Sequence, residues 1–172
     1  GVFSAKSLEQ APVALSVVSG EELEQQIPSS ASDILKNVPG VFVNSALGEI
    51  RNVVFSRGVS ANSLDGASGY YYVSMQENSV PVELMTTSNY GPDYFSRPDL
   101  MLDHVVSLRG GTASVTGANA PGGVFNYIMR TGKSFDKTQI QARYGLEGDN
   151  NPYKRLDFYT GGELSEDTYY AL

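Results

Sequence analysis

The sequence predicts an α+β fold: a small β-sheet braced by short helices, followed by antiparallel strands of a different character. Three observations carry this. Apolar, β-branched runs of strand length recur between clusters of Gly, Pro, Asn and Asp. Between Ser19 and Val38, two stretches carry helix-start residues, and the second places apolar residues at helical spacing. After Gly132 the pattern changes to apolar–polar alternation with tyrosines, the weak period-two signal of membrane β-strands.

Gly1 to Gln10 is polar and small and reads as a linker. Pro12 to Val18 begins at a proline and is β-branched, so it predicts a first strand. Ser19-Gly20-Glu21-Glu22 predicts a helix start, with Ser19 able to accept from free amides and the acids at the positive end of the dipole. That helix stops at Ile27-Pro28. Ser29 or Ser30 caps a second helix, in which Ala31, Ile34, Leu35 and Val38 share one face, and Pro39-Gly40 ends it. Val41 to Asn44 resumes as a strand. Arg51 to Ser60 reads as one further strand.

Ala61 to Gly69 has no apolar period and reads as a loop. Tyr70 to Met75 and Ser79 to Val82 are extended segments about a Gln76-Glu77-Asn78 turn, where Asn can take a left-handed conformation. Glu83 to Arg97 is polar and aromatic. Leu100-Met101-Leu102 packs inward before an apolar strand at His104 to Leu108. Gly110-Gly111 then gives a turn that a Cβ would obstruct, so replacing both with Val is expected to destabilise the domain. A small-residue loop and Pro121-Gly122 lead into a strand from Gly123 to Met129, and Arg130-Thr131-Gly132 closes the block. Lys137 to Gly145 alternates, Leu156 to Gly162 does so less cleanly, and Asp167 to Leu172 begins again.

Composition excludes several function classes. The chain has 172 residues with 12 basic and 19 acidic side chains, a net charge of −7. No basic face is visible, so nucleic acid is not an expected partner. There is no cysteine and one histidine, His104, so thiolate or histidine metal sites, a thiol nucleophile and a histidine triad are not expected. His104 lies in an apolar strand, where a hydrogen-bonded structural role is the plain reading. Neither a nucleophile elbow nor any other catalytic constellation is present. Asp65, Glu77, Glu83, Asp93, Asp99 and Asp103 read as solvated loop acids. We therefore expect no enzyme activity, no metal and no cofactor. No run of about 18 apolar residues marks a membrane helix, and the first residues do not follow the order of a secretory signal. Gly1 reads as a cut within a longer chain.

Leu108-Arg109-Gly110 and the following Ser114-Val115-Thr116-Gly117-Ala118-Asn119-Ala120-Pro121-Gly122-Gly123, then Val124 to Ile128 and the Arg130-Thr131-Gly132 exit, resemble the end of the plug domain of TonB-dependent outer-membrane receptors. Upstream, Val18-Ser19-Gly20-Glu21-Glu22-Leu23, Ala31 to Val41 with its Val38-Pro39-Gly40-Val41 exit, and Ser56-Arg57-Gly58 resemble the start of the same domain. The resemblance runs from about Ala11 to Gly132.

It implies a small mixed sheet with short helices, the plug, over residues 11–132 after a linker at 1–10. The first antiparallel strands of an incomplete transmembrane β-barrel follow at 133–172. The implied function is gating of active nutrient uptake, most readily of a ferric siderophore, by a plug inside the barrel lumen in the outer membrane. The implied partners are the chain's own barrel, TonB on the N-terminal side and a small-molecule nutrient. A TonB box is expected before Ala11. An oligosaccharide or cobalamin receptor, or a free periplasmic binding or adaptor module with a plug-like fold, are the alternatives.

Two sets of site residues follow. Arg57 and Arg109 each precede a glycine at the end of an apolar strand. Read by spacing alone they are surface arginines before turns, whereas the resemblance implies pairing with carboxylates of the inner barrel wall. On that second reading, replacing both with Met leaves the isolated chain nearly unaffected and loosens the plug in an intact barrel. Tyr70, Tyr71, Asn89, Tyr90, Tyr94 and Phe95 fall in segments that are either partial core and ordinary surface, or apical loops that meet the ligand. Aromatic side chains suit the latter by giving large contact area with few torsions to freeze.

Overall fold

The computed structural model describes residues 14–45, 52–60, 73–82, 96, 98–110 and 120–172. They form two compact units, Gly1–Pro98 with His104–Ile128, and Asp99–Asp103 with Met129–Leu172.

The first unit is organised on a mixed sheet. Its strands are β1 (Ala14–Val18), β5 (Val73–Glu77), β6 (Val80–Pro81), β7 (Leu102–Arg109) and β8 (Gly123–Met129), in the order β1-β7-β8-β5-β6. β1 runs antiparallel to β7, with Ser16 opposite Ser107, and β5 runs parallel to β8, with Val73 opposite Gly123. Val73, Met75, Val105, Val124, Phe125 and Tyr127 are buried in it. A smaller antiparallel sheet comprises β2 (Val41–Asn44), β3 (Val53–Ser56) and β4 (Val59–Ser60).

The helices sit where the sequence places them. α1 (Gly20–Gln26) opens with a reciprocal capping box. The Ser19 amide donates to Glu22 Oε2 at 2.7 Å and the Glu22 amide to Ser19 Oγ at 3.3 Å, which satisfies two otherwise orphaned donors. The helix ends at Ile27, which is left-handed at φ 48 before Pro28. α2 (Ala31–Ile34) is capped by Ser30 and tightens into a 3₁₀ turn over Leu35–Asn37. So short a helix is held by packing and not by propensity. Ile34 and Leu35 are wholly buried, each stabilising by roughly 1.5–3 kcal/mol. The Tyr127 hydroxyl donates to the Ala31 carbonyl at 2.8 Å and pins α2 to β8.

Both helix-start acids titrate below their ordinary values. Hydrogen bonds from the Ser19 amide and hydroxyl lower Glu22. Burial raises Asp33, but Lys36 and Ser29 together outweigh it and leave it lowered. A depressed carboxylate contributes stability above its unfolded pKa and loses it as pH falls through the folded value. Amide protection at Leu23 and Ile34 is therefore expected to hold above about pH 4.5 and to fall at more acid pH. Ser19→Ala is expected to cost about 1 kcal/mol of helix stability, and unchanged protection at Leu23 in that variant would contradict the cap's role.

Two turns differ from, or sharpen, the sequence reading. The expected single strand over 51–60 is broken: Arg57 and Gly58, at φ 51 and 80, make a two-residue hairpin turn joining Ser56 to Val59. The primed twist of such a turn matches the twist of the strands. Asn78 and Ser79, at φ 47 and 70, make the equivalent turn between β5 and β6. Asn126 holds it, accepting from the Ser79 amide at 2.9 Å and donating to Ser79 Oγ at 3.0 Å.

The second unit carries a three-stranded antiparallel sheet, ordered β11-β10-β9: β9 (Thr138–Glu147), β10 (Asn151–Ser165) and β11 (Thr168–Ala171). β10 is a continuous 15-residue strand, longer than its uneven alternation suggests. Gly161 and Gly162 sit within it as close-approach positions, since a Cβ on Gly161 would lie 2.2 Å from the Tyr159 hydroxyl. The β9–β10 register sets Ile140 opposite Phe158 and Ala142 opposite Leu156, and on alternate rungs Gln141 opposite Asp157 and Arg143 opposite Arg155. Ile140, Tyr144, Leu146, Leu156 and Phe158 are all more than half exposed. One face is thus apolar and open and the other polar, as in strands of a membrane barrel. Ten residues in β9 is also the span such a tilted strand needs.

Candidate functional site

The two arginine–glycine steps, far apart in sequence, converge on Pro39-Gly40, and they do so through different local structures. Arg57 is the first residue of the β3–β4 turn, and its amide donates to the Gly40 carbonyl at 2.8 Å. Its left-handed backbone sends an exposed side chain across Gly40 and Gly110. A Cβ on Gly40 would meet Arg57 Cγ at 3.7 Å, and one on Gly110 would stand 3.0 Å from Arg57 Nη1. Gly110 is also at φ 92, so it provides both the turn and the space for the guanidinium.

Arg109 is the last residue of β7 and is only 7% exposed. Its Nη1 donates to the Pro39 carbonyl, and its Nη2 donates to Ser16 Oγ on β1 at 2.7 Å. Its Nε is buried without a hydrogen-bond partner, as is Ser107 Oγ two residues earlier. Burial first, and the charge of Arg57 second, lower the pKa of Arg109. An arginine stays protonated through such a shift. The result is a buried cation next to an exposed one, and among the described residues neither is ion-paired with a carboxylate. Such a pair suits an acid supplied from elsewhere, since a planar guanidinium fork matches a carboxylate and a buried charge needs compensation.

The internal acceptors change one expectation. Arg109 is part of the fold of this chain through Pro39 and Ser16, so its loss is not expected to be silent in the isolated chain. Arg57, with its side chain exposed, keeps the original expectation. The platform residues Pro39 and Ser16 were not singled out as site residues in the sequence, where only the helix-ending role of Pro39-Gly40 is visible. Tyr70, Tyr71, Asn89, Tyr90, Tyr94 and Phe95 lie outside the described residues, as does Gly111. Among the described residues, no group of three or more His, Asp or Glu is arranged to hold a metal ion.

A mixed sheet braced by two short helices, with adjacent arginines that no acid meets among the described residues, followed by two-faced antiparallel strands, is the architecture of a plug and the first strands of a β-barrel. The TonB-dependent Receptor Plug Domain family model matches residues 7–124, and the chain belongs to that family. It is 28% identical over 163 residues to the ferric-pyoverdine 358 receptor of Pseudomonas putida, covering 94% of this chain and 18% of that protein. It is 27% identical over 171 residues to the vitamin B12 transporter BtuB of Vibrio vulnificus (strain YJ016), covering 97% of this chain and 26% of that protein. The crystal structure of the outer-membrane ferripyoverdine receptor of Pseudomonas aeruginosa, bound to ferripyoverdine, superposes with a TM-score of 0.69 at 20% identity, over 96% of this chain and 20% of that one. The chain thus spans about a fifth to a quarter of the length of these curated relatives.

Proposed function

We propose that this chain is the plug and first barrel strands of an outer-membrane transporter that gates energised uptake of a ferric siderophore. The observation that carries the gating reading is the arginine pair. Arg57 and Arg109 form a compact double cation in a plug-family chain of net charge −7, and no described carboxylate serves them. In this reading carboxylates of the barrel wall, contributed by residues beyond Leu172, close the pair and seat the plug. TonB acts from the N-terminal side, and the segments holding Tyr70, Tyr71, Asn89, Tyr90, Tyr94 and Phe95 face the incoming nutrient. The plug runs over 11–132 and the barrel begins at 133. The siderophore assignment is supported by the similarity to the ferric-pyoverdine receptor. Cobalamin is the second reading, supported by the similarity to the vitamin B12 transporter.

A strain deleted for the gene decides between them. Loss of growth on a pyoverdine-type ferric siderophore as sole iron source, restored by the gene, is the expected result. Loss of cobalamin-dependent growth alone would favour the second reading. A deletion that alters neither uptake nor the exclusion of large antibiotics would overturn the transport reading.

A further inference from the structure

The Arg130-Thr131-Gly132 exit has no part in the arginine pair, yet Arg130 makes several contacts within the second unit. Arg130 follows β8 directly and is 7% exposed. Its amide donates to the Met101 carbonyl at 2.6 Å. Its Nη1 donates both to the Leu100 carbonyl at 3.0 Å and to Gln139 Oε1 on β9 at 2.9 Å. The guanidinium carbon lies 3.9 Å from the centroid of the Phe135 ring and 5.8 Å from that of Tyr159 on β10.

The rings are themselves fixed. Thr131 and Ser134 exchange hydrogen bonds through amides and hydroxyls, and the Phe135 amide donates to the Thr131 carbonyl at 2.9 Å. Tyr159 meets Phe135 edge-on at 5.4 Å and donates through its hydroxyl to the Phe135 carbonyl at 2.9 Å. The cation is balanced by carbonyl oxygens and ring faces, which favour a flat guanidinium that stacks while donating in its own plane.

We propose that Arg130 is the positioning residue of a clasp inside the second unit, tying the 99–103 segment to the 130–137 turn and to β9 and β10. Its partners Leu100, Met101, Phe135, Gln139 and Tyr159 all belong to that unit. Through the clasp the 99–103 segment, the 130–137 turn and β9–β10 open together, as one cooperative piece. This inference does not depend on the nutrient or on wall carboxylates.

Native-state amide exchange on the full-length polypeptide in detergent tests it. Arg130→Met is expected to accelerate exchange of the 130, 135 and 160 amides about tenfold or more, leaving the Val105 and Phe125 amides within about twofold of wild type. Arg130→Lys is expected not to restore protection, because a point charge cannot stack and bridge two acceptors at once. Phe135→Leu keeps every hydrogen bond of Arg130 and is expected to give a smaller acceleration at the same amides. It also carries the test if the Arg130 variants do not fold. Full rescue by lysine, acceleration spread equally through β7 and β8, or no change in Phe135→Leu would each overturn the clasp.

Discussion

Gly123→Ala is expected to destabilise the chain by about 3 kcal/mol, combining the overpacking and positive-φ penalties. Gly123 opens β8 at φ 142, opposite Val73 of the parallel strand β5. A Cβ there would lie 2.7 Å from the Leu108 carbonyl oxygen and 3.5 Å from both Arg109 Cα and Ser56 Oγ. The nearest atom is backbone of a neighbouring strand, so a rotamer change cannot relieve the clash. Relief requires β8 to move from β7. Such movement disturbs two contacts of the site: Ser56 Oγ donates to the Gly122 carbonyl at 2.7 Å, and Arg109 sits beside the clash. Gly58→Ala is the control. It is also left-handed, at φ 80, but nothing lies within 4 Å of its Cβ, so only the conformational penalty of about 1–2 kcal/mol applies. Thermal melts of the two variants should differ, with Gly123→Ala lower in Tm by roughly 2–8 °C than Gly58→Ala. Equal melting temperatures would show that β8 yields freely and that the close approach is not a constraint.

Elements with local causes were legible in the sequence. Ser19 and Glu22 stand at capping-box spacing, Pro39-Gly40 ends a helix by two mechanisms, and the alternation from Thr138 onward states which residues share a face. Each depends on neighbours within a turn or a strand. The Arg57-Gly58 turn was hidden because the apolar residues on either side, Val53-Val54-Phe55 and Val59, read as one strand, and Arg-Gly is not among the dipeptides that mark a two-residue hairpin turn. The convergence of the arginines had no local signal. Arg109 reaches Pro39 and Ser16 across 70 and 93 residues of sequence, and pairing of β1 with β7 decides that distance. The same holds for Tyr159. A strand tyrosine after Glu147 reads as one of several aromatics, but it is wholly buried, because Gly161 leaves room for its hydroxyl and Phe135 lies across its ring.

Replacing Arg57 and Arg109 with Met is expected to have effects that diverge between the isolated chain and the whole transporter. In the chain alone, Arg57→Met is expected to be within about 0.5 kcal/mol of wild type, as for an exposed side chain with no strong partner. Arg109→Met loses its bonds to the Pro39 carbonyl and Ser16 Oγ, a cost of about 1–3 kcal/mol for hydrogen bonds to a charged group. It also removes a buried cation that no described carboxylate balances, which offsets part of that cost. Urea denaturation should therefore rank wild type and Arg57→Met together, with Arg109→Met modestly below. In the intact transporter the proposed wall carboxylates would be stranded by the double variant, and breaking such a pair costs about 3–5 kcal/mol. The plug is then expected to seat poorly, admitting large antibiotics and lowering nutrient uptake. The discriminating result is the ratio of the two effects. If antibiotic exclusion and uptake are unchanged while the isolated chain is destabilised, the arginines serve only the fold of the plug, and the barrel wall holds the plug through other contacts.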